Sequence, residues 1–291
     1  MAITALQKEK WAIKMLSHLE TGTVCGQVCD TDLIPMEGGD TWHIVTPTAI
    51  TTASTNDGAD ITYSLPTDAD TSVTKNFDQY FGLLKLDTNS MQIGDDRWFE
   101  GFTRNGVYQL GKDLDTAVLA DNANFGSNSY ETGTTGWTFT FQTCAEIPTF
   151  FARLLFTLRT NAVDQLGMPF LVGPPGLGEA IDTYSATRAT QYGDEILLAG
   201  GARVFTYGGF RVYISNNCDT DGGSMFHGMC GITGHGMALG TYATPSMLED
   251  VGRAEGRFGN LIRGRLAAGY KVYRSAALID VNFADPVVAT S

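Results

Sequence analysis

Between residues 218 and 235 a glycine-rich stretch carries Cys218, Asp219, His227, Cys230 and His235. His227-x-x-Cys230-x4-His235 partly resembles a zinc knuckle, with Cys218 or Asp219 as a fourth ligand, because thiolate and imidazole are the donors zinc prefers. The flanking methionines and phenylalanine suit packing better than ligation, so His227, Cys230 and His235 stand only as weak metal candidates. Cys25-x-x-x-Cys29 has no second ligand pair, and a disulfide at that spacing needs a helical or sharply turned backbone. Two small apolar side chains is the simpler reading. Gly173 to Gly178, GPPGLG, lacks the Gly-Lys-Ser/Thr end of a phosphate loop, and its prolines remove N–H donors. No Gly-x-Ser-x-Gly or His-Glu-x-x-His segment occurs. The carboxylates form no pair in an obviously apolar setting that would tune one of them, and the four histidines do not gather around a nucleophile. No catalytic residue and no cofactor is expected.

Charge carries more information than these motifs. The 291 residues have a formal net charge of −13, which argues against generic nucleic-acid binding. Between Lys14 and Lys75 there is no lysine or arginine, whereas Asp57, Asp60, Asp68 and Asp70 fall in that interval. Arg253, Arg257, Arg263, Arg265 and Lys271 crowd a C-terminal stretch. Such an acidic arm and basic region can pair between copies of one chain, or both can be solvated faces. Five cysteines do not suggest a secreted disulfide scaffold. No apolar run is long enough to cross a membrane, and no signal peptide is expected. With 43% hydrophobic residues the chain can build a sizeable core; its 34 glycines and 18% charged residues favour turns, strands and uncharged polar surfaces.

The elements that must position these residues centre on residues 95–122. Trp98, Phe99, Phe102, Leu110, Leu114, Ala117, Val118 and Asp121 recur at helical spacing, which predicts a spine helix about 40 Å long. Gly101, Gly106 and Gly111 each cost it about 1 kcal/mol against alanine, so packing must hold it, or it breaks near Gly106. Residues 1–20 predict a short helix with an Ala12, Met15, Leu16 and Leu19 stripe flanked by Lys8, Lys10 and Lys14. Residues 21–50 look extended, with a strand at 41–45. Residues 51–72 are too polar for a core of their own. Ile61 to Tyr63 and Val73 to Leu86 alternate like the strands of a long hairpin with a polar tip. Such a hairpin is marginal alone, so it implies a partner surface.

Further on, strands are expected at 137–141 and 170–172, and helices at 143–163, with a Thr143/Glu146 capping box, and at 179–190. A hairpin is expected over 204–214. Thr244-Pro245 reads as a helix start, with the helix reaching about Arg257. A second hairpin at 261–273 and short strands at 276–283 close the chain.

Taken in order, several segments carry a resemblance. They are Gly39-Asp40-Thr41; Val118-Leu119-Ala120-Asp121; Phe170-Leu171-Val172-Gly173-Pro174; Gly208 to Asn217; Arg253 to Gly264; and Tyr270-Lys271-Val272-Tyr273. The sequence resembles the major capsid proteins of tailed bacteriophages with the HK97 fold, over nearly its whole length. The resemblance implies an α+β chain with an N-terminal arm (1–38), an extended two-stranded loop (39–90) and a peripheral domain (91–166) holding the spine helix 95–122. It further implies an axial domain (167–250) and a return through 251–291. It implies copies arranged as pentamers and hexamers of an icosahedral virion shell around double-stranded DNA, assembled in the host cytoplasm, with arm and loop lying on the next subunit. Expected partners are the chain itself, a separate scaffolding protein, a portal, a decoration protein and DNA through weak non-specific contact, with no membrane. Asp57, Asp60, Asp68, Asp70, Arg253, Arg257, Arg263, Arg265 and Lys271 become the candidate intersubunit contacts. Some relatives weld their shells through a loop lysine; here only Lys75 is near, so no cross-link is expected. An encapsulin-like compartment of the same fold is the alternative, and a cytosolic α+β enzyme a more distant one.

Overall fold

A computed structural model describes residues 23–32, 41–47, 68–86, 96–128, 136–140, 143–192, 204–220, 225–243, 248–250 and 259–288. In chain order the elements begin with helix α1 (Cys25–Val28) and strands β1 (Thr41–Pro47), β2 (Asp68–Thr74) and β3 (Phe77–Leu86). Helix α2 (Asp96–Leu119) and strands β4 (Ser127–Asn128) and β5 (Trp137–Phe139) follow, then helix α3 (Ile147–Thr160), β6 (Pro169–Gly173) and helix α4 (Pro175–Tyr192). The rest is strand: β7 (Val204–Tyr207), β8 (Phe210–Ile214), β9 (Asp219–Thr220), β10 (Met225–Ile232), β11 (Met237–Ala243), β12 (Leu248–Asp250), β13 (Gly259–Val272) and β14 (Leu278–Val288).

Helix α2 is the predicted spine, and it runs unbroken through Gly106 before a 3-10 turn at Ala120–Asn124. Val107, Leu110, Leu114 and Val118 are buried along one stripe, at spacings of three, four and four. They pack on β13, β3 and β11 in a core that also takes Phe77, Leu239, Leu266 and Ala268. Each fully buried aliphatic side chain of this kind contributes roughly 1.5–3 kcal/mol, which offsets the helix's glycines. One of those glycines, Gly106, also has a packing use, together with a strand glycine, Gly264. A Cβ on Gly106 would lie 2.9 Å from the Phe81 ring, and one on Gly264 of β13 would lie 2.2 Å from it. Phe81 therefore sits in a slot whose walls are a helix glycine and a strand glycine. Gly106, which weakens the helix locally, lets it approach the sheet.

The second core belongs to an eight-stranded sheet in which β4, β14, β10, β6, β8 and β7 lie side by side. Helices α3 and α4 bury Phe150, Phe151, Leu154, Leu158, Leu177 and Ile181 against it. The β7–β8 hairpin turns on Gly208 and Gly209, at φ 58° and 85°. Those left-handed angles suit a two-residue turn of the primed type, which matches strand twist.

Several local expectations are revised. Residues 25–28 form a helical turn, where extended chain was expected. Val73 to Leu86 is two strands broken at Lys75-Asn76: β2 pairs with β1, whereas β3 pairs with β13. Glu146 does not complete a capping box; its carboxylate accepts from Thr140 N–H at 3.1 Å and from the Thr140 hydroxyl, clipping the end of β5 to the start of α3. Helix α4 begins at Pro175, four residues before the expected start, because proline is well placed in a first helical turn. The helix expected from Thr244 is contradicted at 248–250, which pair as β12 with Leu261 to Arg263. The hairpin expected at 261–273 is one continuous strand, β13, with partners on both edges. A two-sided partner supply overrides local turn signals. The expected helix at 1–20 lies outside the described residues.

Candidate functional site

Strands β1 and β2 form an antiparallel ribbon with Thr41 opposite Thr74 and Pro47 opposite Asp68. Its strict alternation sends Trp42, Ile44 and Val73 to one face, where they are buried on Ala238 and the half-buried Tyr273. The opposite face carries Thr41, His43 and Val45, the last 57% exposed. Across it His43 Nδ1 and Asp70 Oδ2 lie 2.7 Å apart. The ribbon's root thus rests on its own chain, and its other face is open.

Polar contacts pin that root. Lys271 Nζ donates to the Ser72 carbonyl at 2.9 Å, tying β13 to β2. Asn76, at the break between β2 and β3, donates from its backbone to Ala268 O (3.2 Å) and from Nδ2 to Tyr270 O (3.0 Å). Its Oδ1 accepts from Tyr270 N–H at 3.1 Å. Asn76 thereby replaces a missing rung of the sheet, and the polarity of a Lys-Asn pair in an alternating run was the available signal for it. Next to it Arg265 forks onto Asp78: Nε donates to Oδ1 at 2.7 Å and Nη2 to Oδ2, while Lys75 Nζ reaches the same carboxylate at 2.5 Å. Arg265 first, then Lys75, hold the Asp78 carboxyl well below the usual carboxylate range.

A second junction holds the N-terminal side. Asp115, on the spine helix and 1% exposed, accepts from Val24 N–H and Cys25 N–H, each at 3.0 Å. It thus satisfies the free donors at the start of α1 from ninety residues away. Burial pushes its carboxyl up, and the Val24 and Cys25 N–H groups partly oppose this. Sequence reading missed Asp115; a carboxylate inside an apolar stripe, one residue after Leu114, was the signal.

The sequence-predicted candidates separate. Asp70 pairs with His43, Arg265 with Asp78, and Lys271 with Ser72, all within one chain. Asp68 lies opposite Pro47 on the ribbon, and Arg263 opposite Gly82 and Leu248; for these two the backbone alone is described. Asp57, Asp60, Arg253 and Arg257 lie outside the described residues. The metal candidates do not converge. His227 and Cys230 lie three apart on β10, so they face opposite sides of the sheet. His227 Nδ1 meets Asp280 at 3.1 Å, Cys230 is fully buried in the second core, and His235 sits in the turn after β10. Among the described residues no three His, Cys, Asp or Glu side chains gather closely enough to hold a metal. All five cysteines are free and buried; burial pushes the Cys218 thiol up to about 12 and the Cys230 thiol further.

Two sheets with helices packed on them, a long spine helix and a two-stranded ribbon make an architecture shared with solved structures. A structure of Mycobacterium phage Che8 is 20% identical, with a TM-score of 0.63 over 84% of this chain and 85% of that one. The fold is the HK97-type capsid fold. The capsid structure of cyanophage P-SCSP1u aligns at 12% identity and TM-score 0.60, covering 92% of this chain and 89% of its counterpart. A virus-like particle from Pyrococcus furiosus aligns at 10% identity and TM-score 0.52, over 94% and 98%. No family model and no curated protein matches the sequence. The likeness is therefore carried by backbone architecture. The α+β, HK97-like fold expected from the order of short sequence signatures is the fold observed.

Proposed function

We propose that this chain is the major structural subunit of an icosahedral phage shell, assembling through pentamers and hexamers around double-stranded DNA. The observation that carries the proposal is end-to-end likeness to phage structures, including a capsid structure, over 84–92% of the chain. The ribbon supports it. It is built as an arm with an anchored root and a free face bearing Val45. In this reading 39–90 is the extended loop and lies on the next subunit. Residues 1–38 are the N-terminal arm, 91–166 is the peripheral domain, 167–250 faces the capsomer centre, and 251–291 returns to the peripheral and axial sheet. Asp57, Asp60, Asp68, Asp70, Arg253, Arg257, Arg263, Arg265 and Lys271 are the polar contacts between copies. For Arg265 and Lys271 that role adds to the contacts each makes within its own chain. Scaffold, portal and decoration proteins are its further partners, and the mature chain resides in the virion.

Expression of the chain, followed by sedimentation and electron microscopy, tests the proposal. Capsomers or closed shells are expected, and nucleic acid is expected inside particles recovered from infected cells. A small, steady oligomer that never forms capsomers would overturn it. Particles filled with a protein cargo and lacking nucleic acid would point instead to a compartment shell.

A further inference from the structure

A cavity of about 450 Å³ opens where helix α4 begins, with Pro174, Pro175, Phe226 and Val287 in its wall. That is within the ~300–1,000 Å³ typical of ligand pockets. Here the first turn of α4 is pressed onto the end of β14: a Cβ on Gly176 would stand 2.7 Å from that of Val287. Each of the two elements also brings a carboxylate to the wall, Glu179 from α4 and Asp285 from β14.

The polar groups around the opening select the sign of a ligand. A helix N-terminus ordinarily attracts anions through its free N–H groups. At this one Pro174 and Pro175 have no N–H to offer. Neighbouring donors are already spent: Leu177 N–H on the Pro174 carbonyl at 3.0 Å, Ser215 N–H on the Gly173 carbonyl at 2.9 Å, and Asn217 N–H on the Ser215 hydroxyl at 3.1 Å. Glu179 and Asp285 are exposed, and among the described residues no lysine, arginine or histidine pairs with either. Their surroundings are acidic as well. Burial first, then the charges of Glu146 and Glu179, push the nearby Cys144 thiol up. The site therefore takes a cation.

The apolar wall narrows the class. A small divalent metal ion keeps several waters and asks for oxygen ligands in a fixed geometry, and proline, phenylalanine and valine give it nothing. An ammonium group donates three hydrogen bonds and suits a carboxylate. Methylene groups gain by leaving water against an apolar wall. Two unpaired carboxylates beside such a wall match two ammonium groups joined by methylenes.

We infer that this cavity binds a small aliphatic diamine, with its ammonium ends at Glu179 and Asp285 and its methylenes against Phe226, Val287 and the prolines. The bound dication ties the start of α4 to the end of β14. Every group involved belongs to one chain, so the site is the same whether or not the chain builds a shell.

Equilibrium dialysis of the full-length protein against radiolabelled 1,4-diaminobutane tests this, with magnesium chloride as a competitor of equal charge. Saturable binding of one diamine per chain is expected, with a Kd of about millimolar for so small a ligand, and magnesium should displace it only weakly. Glu179→Gln/Asp285→Asn should weaken binding about fivefold, the loss of two modest ion pairs. Asp32→Asn/Asp113→Asn removes the same charge from exposed positions elsewhere and should leave binding unchanged. Butylamine, with one ammonium on the same chain, should bind more weakly than the diamine. Uptake that never saturates, or that magnesium displaces as readily as the diamine itself, would reduce the effect to counterion attraction by a chain of net charge −13 and overturn the site. Equal affinity in the two double variants would overturn it too.

Discussion

The buried Asp115 offers a sharp test of how the start of α1 is held against the spine helix. Asp115→Ala removes the acceptor of two backbone N–H groups, one buried and one partly buried. An unsatisfied buried donor costs about 1–3 kcal/mol. Removal of a desolvated carboxyl returns part of that, so the net loss is about 3 kcal/mol. In a chain of this size that lowers Tm by roughly 6–12 °C. Asp115→Asn keeps one carbonyl acceptor and should lose about half as much. The pH dependence has a definite sign. The folded carboxyl is raised above its unfolded value of 3.8. Its contribution is therefore fully present below that value and is lost as pH rises through the folded one. The wild-type advantage over Asp115→Asn should shrink across that interval. Urea unfolding of unassembled chain, with hydrogen exchange over residues 23–32, measures both. Equal midpoints for wild type and Asp115→Ala, with protection of 23–32 intact, would show that the carboxylate does not carry the junction.

Three further outcomes follow from the geometry. Gly264→Val drives a branched side chain into the Phe81 ring and should cost about 1–3 kcal/mol or more, as overpacking does; an unchanged denaturation midpoint would remove the slot. Arg263→Glu and Arg265→Glu should lower particle yield far more than the unfolding midpoint, since the Asp78 fork is exposed. Wild-type yields from both, measured by sedimentation, would withdraw these residues as contacts. Purified particles denatured without reductant should run as monomers, because the five cysteines are buried thiols and Lys75 is already engaged by Asp78; a ladder that persists in reductant would contradict this.

Much of the architecture was readable because its signals are periodic. The spine helix announced itself through Leu110, Leu114 and Val118, and the 204–214 hairpin through Gly208-Gly209. What escaped depended on partners distant in sequence. Strand β13 contains Gly264 and Gly269, which resemble turn signals. It stays extended because β3, nearly two hundred residues earlier, and β11 supply its two edges. Residues 248–250 read as helix by propensity, yet they pair with 261–263. The zinc-like spacing failed for a related reason. Ligand spacing in sequence assumes that the chain can wrap, and β10 instead alternates its side chains between two faces. Of the charged candidates, sequence identified Asp70, Arg265 and Lys271 as polar and clustered by region. It could not reveal that each has a partner within the same chain.

The ribbon unites these observations. Its root has apolar anchors in Trp42, Ile44 and Val73, a lysine strut from Lys271 and an amide rung at Asn76. An isolated two-stranded ribbon is marginal in water, so this root is what sets its direction from the body. Residues 48–67 are largely Thr, Ser, Ala, Asp and Asn and bring few apolar groups of their own. Under the proposed function, an anchored base of this kind is what an element that meets a neighbouring subunit at a set angle requires. The Asp78–Arg265 fork joins β3 to β13 just past the Lys75-Asn76 break, beside that base, and being exposed it orients the two strands more than it stabilises them.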